Sequence, residues 1–312
     1  MRVDFVKAVH PLITQDPSSV FITGDLGYAA LEGLRDELGA RFLNAGVAEQ
    51  NMIGVAAGMA LTGLRPWVYS IAPFVTYRCL EQIRNDVCLH ALPVRLVGNG
   101  GGYTYGIMGS THHALEDMAV LKSLPNMSLY FPCSNDHVAA AVSQIQGISN
   151  PSYLRLAISP YTTALKPISE NPTTLTRRYS TGNQVTVIGV GHAVQLALKT
   201  LSEGQLGGGE VSVFGVARFP LDLERDAELR QCVANSRKVI VIEEHYEYGG
   251  ISETLKSKLP NTDSFQIMAP FYSKDQRYGS AAFHLKQCGI TPENLVSAVQ
   301  AMIKPSKLRQ VA

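Results

Sequence analysis

The stretch "PWVYSIAPFVTYRCLEQIRNDVCLHALPVRLVGN" (66–99) places two apolar runs, rich in β-branched and aromatic residues, on either side of a helical segment. The runs at 66–71 and 93–99 are continuous rather than alternating, which is typical of strands in a sheet covered on both faces. The segment 74–90 between them supplies the crossover that parallel strands need. This unit predicts a mainly parallel sheet with right-handed connections.

The same strand–helix rhythm extends over most of the chain. In the first half, further strands are predicted at 19–23, 127–132 and 152–158, and further helices at 47–63 and 135–149. In the second half, "VTVIGVG", "EVSVFGV" and "KVIVIEE" read as strands of a new α/β series. The series ends with "TPENLVSAVQAMI", where Thr291 caps a helix and Pro292 takes its first position. The predicted fold class is therefore α/β.

The region 159–181 interrupts this rhythm. It is rich in proline, threonine and serine and has no hydrophobic periodicity, which indicates a linker, assigned to 166–181. We therefore expect two domains, 1–165 and 182–312.

Composition narrows the class of protein. At 312 residues the chain is long enough for two cores of ordinary domain size. It is 46% hydrophobic and 17% charged with a formal net charge of +1, which predicts a soluble globular protein and no binding to nucleic acid or membranes. No apolar run approaches the ~20 residues of a membrane span, and the charged N-terminus lacks the apolar centre of a signal peptide. The five cysteines stand singly, as expected of reduced thiols in a cytoplasmic protein.

One charged residue lies in an unexpected setting. In "NAGVAEQNMIGVAAGMALTG" (44–63), Glu49 heads a run of small and apolar residues that suits a closely packed helix. A carboxylate at the edge of such a core costs several kcal/mol unless it is paired or takes up a proton. Glu49 is therefore a candidate functional residue.

The loop "NGGGYTYGIMGSTHHALED" (99–117) follows a predicted strand, where parallel α/β sheets bind ligands. Its glycines would allow close backbone approach to a ligand, although such a loop is often only a turn. No zinc-ligand spacing surrounds His112 and His113. Phe74 and Tyr77, three residues apart, share a helix face and form either core packing or an aromatic wall for a heterocycle.

The segment "GDLG" (24–27), followed by Asn44, is similar to the Gly-Asp-Gly…Asn pattern that holds a divalent cation and a diphosphate. The spacing is too short for that motif, and no complete phosphate-binding P-loop is present. We therefore expect no metal site in this chain.

Four segments in order resemble the C-terminal half of transketolases, and the resemblance covers nearly the whole chain. They are "FLNAGVAEQNMIGVAAGMAL", "PWVYSIAPFVTYRCLEQIRND", "GSTHHALEDMAVLKSLPNM" and "VIVIEEHYEYGG". The resemblance implies a pyrimidine-binding domain at 1–165, followed by the family's C-terminal domain at 182–312. It is strongest to split enzymes, whose two halves are separate polypeptides.

The resemblance gives Glu49 a role. In this family the glutamate of the "G-V-x-E" motif hydrogen-bonds the aminopyrimidine ring of thiamine diphosphate. A carboxyl with a raised pKa shares a proton with the ring, favouring the imino tautomer that deprotonates thiazolium C2. The resulting ylid adds to a ketone donor.

Other cofactor-binding positions also follow from the resemblance. Phe74 and Tyr77 match two of the family's three aromatics around the pyrimidine, and Ile71 takes the place of the third. Asp25 matches an acidic residue near the cofactor.

Substrate-binding positions complete the site that the resemblance implies. His112 matches a histidine that faces the substrate oxygens and suits proton relay, whereas His113 is assigned to the structure of the loop. Arg155 matches an arginine that reads the substrate phosphate, and Arg2 matches another.

Three departures from the family pattern predict an altered substrate. Gly100 replaces a histidine, Met108 replaces an aspartate that reads a sugar hydroxyl, and Ala29 replaces a serine near the phosphate. Each lost hydrogen-bond partner would cost a polyhydroxylated sugar phosphate ~1–3 kcal/mol. We expect a donor or acceptor with fewer hydroxyl or phosphate groups.

The family's N-terminal domain, which carries the diphosphate and metal motif, is absent from this sequence. The resemblance therefore implies an α subunit that holds the diphosphate and Mg²⁺, in an α2β2 assembly with this chain as β. Two alternatives remain open. One is the β subunit of a 2-oxoacid dehydrogenase or decarboxylase, or of an enzyme similar to deoxyxylulose-phosphate synthase. The other is a non-catalytic binding or regulatory partner.

Overall fold

The first half of the chain forms a parallel sheet. The computed structural model describes residues 1–304 except 162, 208, 260–261 and 275–276. Its strands are β1 (Ser19–Thr23), β2 (Phe42–Asn44), β3 (Arg65–Ile71), β4 (Arg95–Asn99), β5 (Ser128–Tyr130) and β6 (Ser152–Leu156). They pair in the order β5-β6-β4-β3-β1-β2, and every pair is parallel.

Helices cover both faces of this sheet. They are α1 (Arg2–Gln15), α2 (Glu32–Leu38), α3 (Glu49–Leu61), α4 (Ala72–Thr76), α5 (Leu80–Gln82), α6 (Asp117–Lys122) and α7 (Val138–Gly147). Residues of α1 and α7 pack with Phe21, Trp67 and Tyr69, whereas residues of α3 pack with their strand neighbours on the opposite face. This two-sided burial explains why the strand segments are continuous apolar runs.

The second half of the chain builds a mixed sheet. Its strands are β7 (Ser169–Asn171), β8 (Thr176–Ser180), β9 (Gly182–Val190), β10 (Gly209–Val216), β12 (Lys238–Ile242) and β13 (Ser264–Met268), and its helices are α8 (Val194–Ser202), α9 (Ala227–Ser236), α10 (Ile251–Lys258), α11 (Ala281–Gln287) and α12 (Pro292–Ile303). The strand order is β13-β12-β9-β10-β8-β7, with β7 and β8 antiparallel to their neighbours. The prediction of two α/β domains with mainly parallel sheets is confirmed.

A strand from the second half of the chain extends the sheet of the first domain. Strand β11 (Arg218–Phe219), from the second half, pairs antiparallel with β5 and becomes the seventh strand of the first sheet. The domains are therefore joined through main-chain hydrogen bonds as well as through side chains.

The range 166–181 differs from the expected linker, because it contains β7 and β8. Tyr179 is buried, and the guanidinium of Arg177 pairs with Glu170 at 2.6 Å and with Asp136 at 3.1 Å. Threonine and arginine supply strand positions here, so a polar composition concealed two strands of the second sheet.

The predicted helix at 74–90 is also divided. Helix α4 ends at Thr76, α5 is a single turn, and Ile83–Cys88 is a π-helical turn. Such wide turns shift the residues that follow around the helix axis and often occur near functional sites. None of the described helices combines the length and apolar composition needed to cross a bilayer.

Buried histidines make the fold sensitive to acid. Burial lowers the pKa of His137 to about 3 and of His192 to about 4. Between pH 6.5 and these values the unfolded chain binds protons that the folded chain does not, so stability falls as the pH falls.

We expect urea titrations from about pH 7 to about pH 4 to show that the free energy of unfolding falls by about 1 kcal/mol per pH unit per histidine. His137→Asn should reduce this slope and the exposed His90→Gln should not; an unchanged slope in His137→Asn would contradict the prediction.

Candidate active site

Glu49 is the first residue of α3 and lies beside the carboxyl ends of β1 and β3. Its side chain is only 2% exposed. Its Oε1 accepts a hydrogen bond from Ser70 Oγ at 3.1 Å, and its Oε2 pairs with Arg78 Nη1 at 2.7 Å. The carboxylate of the free chain is thus paired, which offsets the cost of its burial.

An aromatic ring lies next to this pair. The Arg78 guanidinium carbon lies 4.4 Å from the centre of the Phe74 ring, in a cation–π arrangement. The His112 ring approaches Phe74 edge-on, with 5.1 Å between centroids, and its Nδ1 lies 3.0 Å from Thr111 Oγ1. Glu49, Phe74 and His112, predicted from separate segments, therefore meet in one cluster.

Arg78 and Ser70 were absent from the predicted site. Arg78 lies four residues after Phe74 within the helix predicted at 74–90, and that predicted spacing would place the two side chains on one face. Ser70 lies next to Ile71 at the end of β3, where side chains reach the edge of the sheet.

Ile71 and Tyr77 border α4 at its two ends. Ile71 is the N-cap residue and is partly buried. The Tyr77 hydroxyl donates to Glu116 Oε2 at 3.0 Å and accepts from the Glu116 N–H at 2.9 Å. Burial, with the nearby Asp117 and Glu116, raises the pKa of Tyr77. Tyr77 therefore connects the end of α4 to the segment before α6, and its contact with the pyrimidine stays a prediction.

Asp25 lies in an exposed, positive-φ turn after β1 (φ +57°). Its N–H donates to Asn44 Oδ1 at 3.1 Å, and its Oδ1 accepts from Asn44 Nδ2 at 2.9 Å. The two residues of the pattern considered as a cation motif thus bind each other. Within the described residues, no group of three or more His, Cys, Asp and Glu side chains could hold a metal ion.

Side chains of this chain pack directly against the glycines of the loop 99–117. A Cβ on Gly100 would lie 2.1 Å from the Tyr105 ring, and one on Gly101 would lie 1.9 Å from Arg155 Nε. Gly100 also has φ +89°. The glycines of this part of the loop are therefore required by internal packing, and Gly100 offers no side chain to a ligand.

Two further candidate residues lie at the surface near the same loop. Arg2, exposed in the first turn of α1, is close enough for its charge to oppose the burial that raises the pKa of Tyr105. Met108 is 47% exposed and the adjacent Ile107 is 72% exposed. The loop thus presents an apolar surface.

Arg155 is paired with acidic side chains of both domains. It is 4% exposed, and its Nη1 lies 3.5 Å from Asp117 and 3.3 Å from His245 Nδ1. Its Nη2 lies 3.8 Å from Glu244. Burial opposes the charge of Arg155, but Asp117 and Glu244 outweigh it and raise its pKa. The guanidinium joins the two domains, and the expectation that it reads a substrate phosphate stays a prediction.

Other members of this buried network are tightly held. Tyr153 donates to Asp117 Oδ2 at 2.8 Å, and burial raises the pKa of Glu244 to about 7. Glu243 accepts the N–H groups of Ile251 and Ser252 at the start of α10. The network is a structural element between the domains.

His113 differs from its neighbour His112. It is buried against Tyr103, with 5.0 Å between ring centroids, and against His284 of the second domain, at 4.9 Å. Burial lowers the pKa of His113. These contacts support its assignment to the structure of the loop.

Family models match both domains. Residues 1–162 match the transketolase pyrimidine binding domain, and residues 176–294 match the transketolase C-terminal domain. The chain belongs to the transketolase family. The resemblance stated from the sequence is thereby confirmed, and the cluster around Glu49 lies in the pyrimidine binding domain.

Named relatives of this transketolase-family chain include single subunits of divided enzymes. It is 30% identical over 261 residues to a subunit of the apulose-4-phosphate transketolase of Phocaeicola vulgatus, covering 80% of each chain. It is 31% identical over 258 residues to a 6-deoxy-6-sulfo-D-fructose transketolase subunit of a Clostridium species, covering 80% of this chain and 78% of the relative. A 1-deoxy-D-xylulose-5-phosphate synthase of Pelotomaculum thermopropionicum is 30% identical over 281 residues, which cover only 44% of the relative.

Solved structures agree with the family. A split gene transketolase, described as an inactive beta4 tetramer, superimposes with a TM-score of 0.81 at 27% identity, covering 97% of both chains. The transketolase from Leishmania mexicana has the same fold, with a TM-score of 0.79 at 18% identity, and this chain covers 45% of it. This transketolase-family chain thus corresponds in extent to one chain of a split-gene enzyme.

Proposed function

We propose that this chain is the C-terminal (β) subunit of a split transketolase that depends on thiamine diphosphate. The enzyme transfers a two-carbon ketol or related acyl unit from a ketone donor to an aldehyde acceptor. The observation that carries the proposal is the meeting of Glu49, Phe74 and His112 in one cluster at the carboxyl ends of the strands.

The cluster fits the aminopyrimidine of thiamine diphosphate. In the free chain a planar cation with N–H donors already lies on the Phe74 face and binds the Glu49 carboxylate. Gly24 lies against Glu49 without a side chain, since a Cβ there would be 3.5 Å from Oε1. A planar nitrogen heterocycle can make the same stacking and hydrogen-bond contacts as that cation.

Each residue of the cluster has a separate task. When bound, thiamine diphosphate supplies a thiazolium carbon that stabilises the carbanion of the transferred unit. Glu49 holds a proton next to the aminopyrimidine, and Ser70 fixes the orientation of its carboxylate. Phe74 orients the ring by stacking. His112 donates or accepts a proton at a substrate oxygen.

An N-terminal (α) subunit completes this site. We propose that it holds the diphosphate through a divalent ion such as Mg²⁺, and that the two chains form an α2β2 enzyme. Relatives that are named as one subunit of a transketolase support a divided enzyme.

The substrate is expected to be less hydroxylated or less phosphorylated than those of ordinary transketolases. Gly100 carries no side chain, and Met108, next to the exposed Ile107, presents an apolar surface. The names of two relatives give apulose 4-phosphate and 6-deoxy-6-sulfo-D-fructose as their sugars, and neither is xylulose 5-phosphate or ribose 5-phosphate.

Steady-state kinetics of the reconstituted α–β enzyme test this proposal. We expect kcat/KM for xylulose 5-phosphate and ribose 5-phosphate to lie at least ~100-fold below that of the best pair in a panel of deoxy, branched and unphosphorylated substrates. Two lost hydrogen bonds of ~1.5 kcal/mol each account for such a factor. Turnover of the two sugar phosphates at ordinary transketolase efficiency would contradict the substrate proposal. Release of carbon dioxide from pyruvate-like donors, without ketol transfer, would contradict the reaction class.

A further inference from the structure

We propose that Arg78 occupies the aminopyrimidine position in the free β chain and must leave it when the cofactor binds. The inference rests on the proposed function and deepens it. In the free chain the guanidinium of Arg78 would block the aminopyrimidine site.

Arg78 makes the two contacts that the proposed function assigns to the aminopyrimidine. Its Nη1 donates to Glu49 Oε2 at 2.7 Å, and its guanidinium lies 4.4 Å from the centre of the Phe74 ring. A guanidinium and an aminopyrimidine are both flat, and both present N–H donors at an edge and a π-face to a neighbouring ring. Two such groups cannot occupy the same face of Phe74 and the same carboxylate oxygen at once.

The side chain of Arg78 has a way out. It is 41% exposed, whereas the side chain of Glu49 is 2% exposed. The residue lies between α4 and α5, where the helix is interrupted. A change of side-chain rotamers would carry the guanidinium into solvent without moving the carboxylate or the sheet.

The arrangement meets a requirement of the free chain. Without a partner, the buried Glu49 would keep an uncompensated charge and destabilise the chain. Arg78 satisfies the carboxylate until the cofactor takes over that role. The cofactor then binds only those molecules in which Arg78 has left the pocket. Its apparent Kd is therefore the intrinsic Kd divided by the fraction of such molecules.

We call Arg78 the placeholder, because its guanidinium occupies the aminopyrimidine position in the free chain. Thiamine diphosphate binding by the reconstituted α–β complex tests this role of Arg78. Arg78→Met keeps an unbranched side chain near Phe74 but removes the charge. Isothermal titration with thiamine diphosphate and Mg²⁺ should give a Kd at least about 5-fold lower than that of the unmodified complex. The matched control Arg84→Met, at an exposed position on the following turn, should leave the Kd unchanged. An unchanged or higher Kd for Arg78→Met would overturn the placeholder.

The free chain supplies a second readout that does not involve activity. Arg78→Met should lower its Tm, and the double variant Arg78→Met with Glu49→Gln should recover most of that loss. A Tm unaffected by Arg78→Met would mean that the pair does not form in solution, and would overturn the inference. If Arg78→Met does not fold, Arg78→Lys should give a Kd below that of the unmodified complex, because an ammonium cannot stack on Phe74 as a guanidinium does. A Kd equal to that of the unmodified complex would overturn the inference.

Failure of the placeholder is distinguishable from failure of the proposed function. If the unmodified complex binds thiamine diphosphate and Arg78→Met does not change the Kd, only the placeholder is wrong. If the unmodified complex binds no thiamine diphosphate, the proposed function is wrong, and the placeholder with it.

Discussion

Glu49→Gln in the reconstituted α–β enzyme is expected to lower kcat by about 10²–10⁴-fold, the usual range for loss of a general acid–base group. The amide retains the shape of the side chain and an oxygen that can accept from Ser70 Oγ, so the site keeps its form. It cannot accept and return a proton next to the aminopyrimidine. Steady-state kcat with saturating cofactor and the best substrate pair measures the effect.

Two controls make the loss specific. Glu81→Gln, at an exposed position close along the chain, should keep full kcat. Size-exclusion chromatography should show the same complex for both variants. Full kcat in Glu49→Gln would show that this carboxyl has no part in catalysis and would favour a binding or regulatory role for the chain.

Asp117→Ala is expected to lower the free energy of unfolding by about 3–5 kcal/mol. The change removes the carboxylate that lies 3.5 Å from Arg155 and accepts from the Tyr153 hydroxyl at 2.8 Å. All three residues are buried, and Glu244, at 3.8 Å, only partly compensates the guanidinium. The midpoint of urea unfolding should fall while the m-value stays constant, because the surface exposed on unfolding is unchanged.

An exposed ion pair provides the comparison for this prediction. Asp222 pairs with Arg225 at 3.3 Å, and both side chains are at least half exposed. Asp222→Ala should leave the unfolding midpoint nearly unchanged, because exposed pairs are screened by solvent. Equal effects of the two substitutions would show that the network between the domains does not stabilise the fold.

Much of the fold could be predicted because its determinants are local. Strand β1 has the predicted bounds, and the Thr291 hydroxyl caps α12 by accepting from the Asn294 N–H at 3.3 Å. Both features depend on neighbouring residues in the sequence. The resemblance to transketolases also assigned Glu49, Phe74 and His112 to one site, and the three residues meet in one cluster.

The remaining features depend on contacts between distant parts of the chain. Arg155 lies on a strand of the first domain, but its environment is set by Glu244 and His245 of the second. The glycines at 100–102 are explained only once Tyr105 and Arg155 are seen to pack on them. Sequence spacing carries no information on such pairings, so these contacts could not be predicted from the sequence.

A structure of the α–β complex with thiamine diphosphate and Mg²⁺ would show whether Glu49 and Phe74 bind the cofactor. The predicted result is an aminopyrimidine ring stacked on Phe74, with a ring nitrogen within ~3 Å of a Glu49 carboxylate oxygen and the Arg78 guanidinium turned into solvent. A cofactor bound elsewhere, with Glu49 still paired to Arg78, would show that Glu49 and Phe74 do not form the aminopyrimidine site.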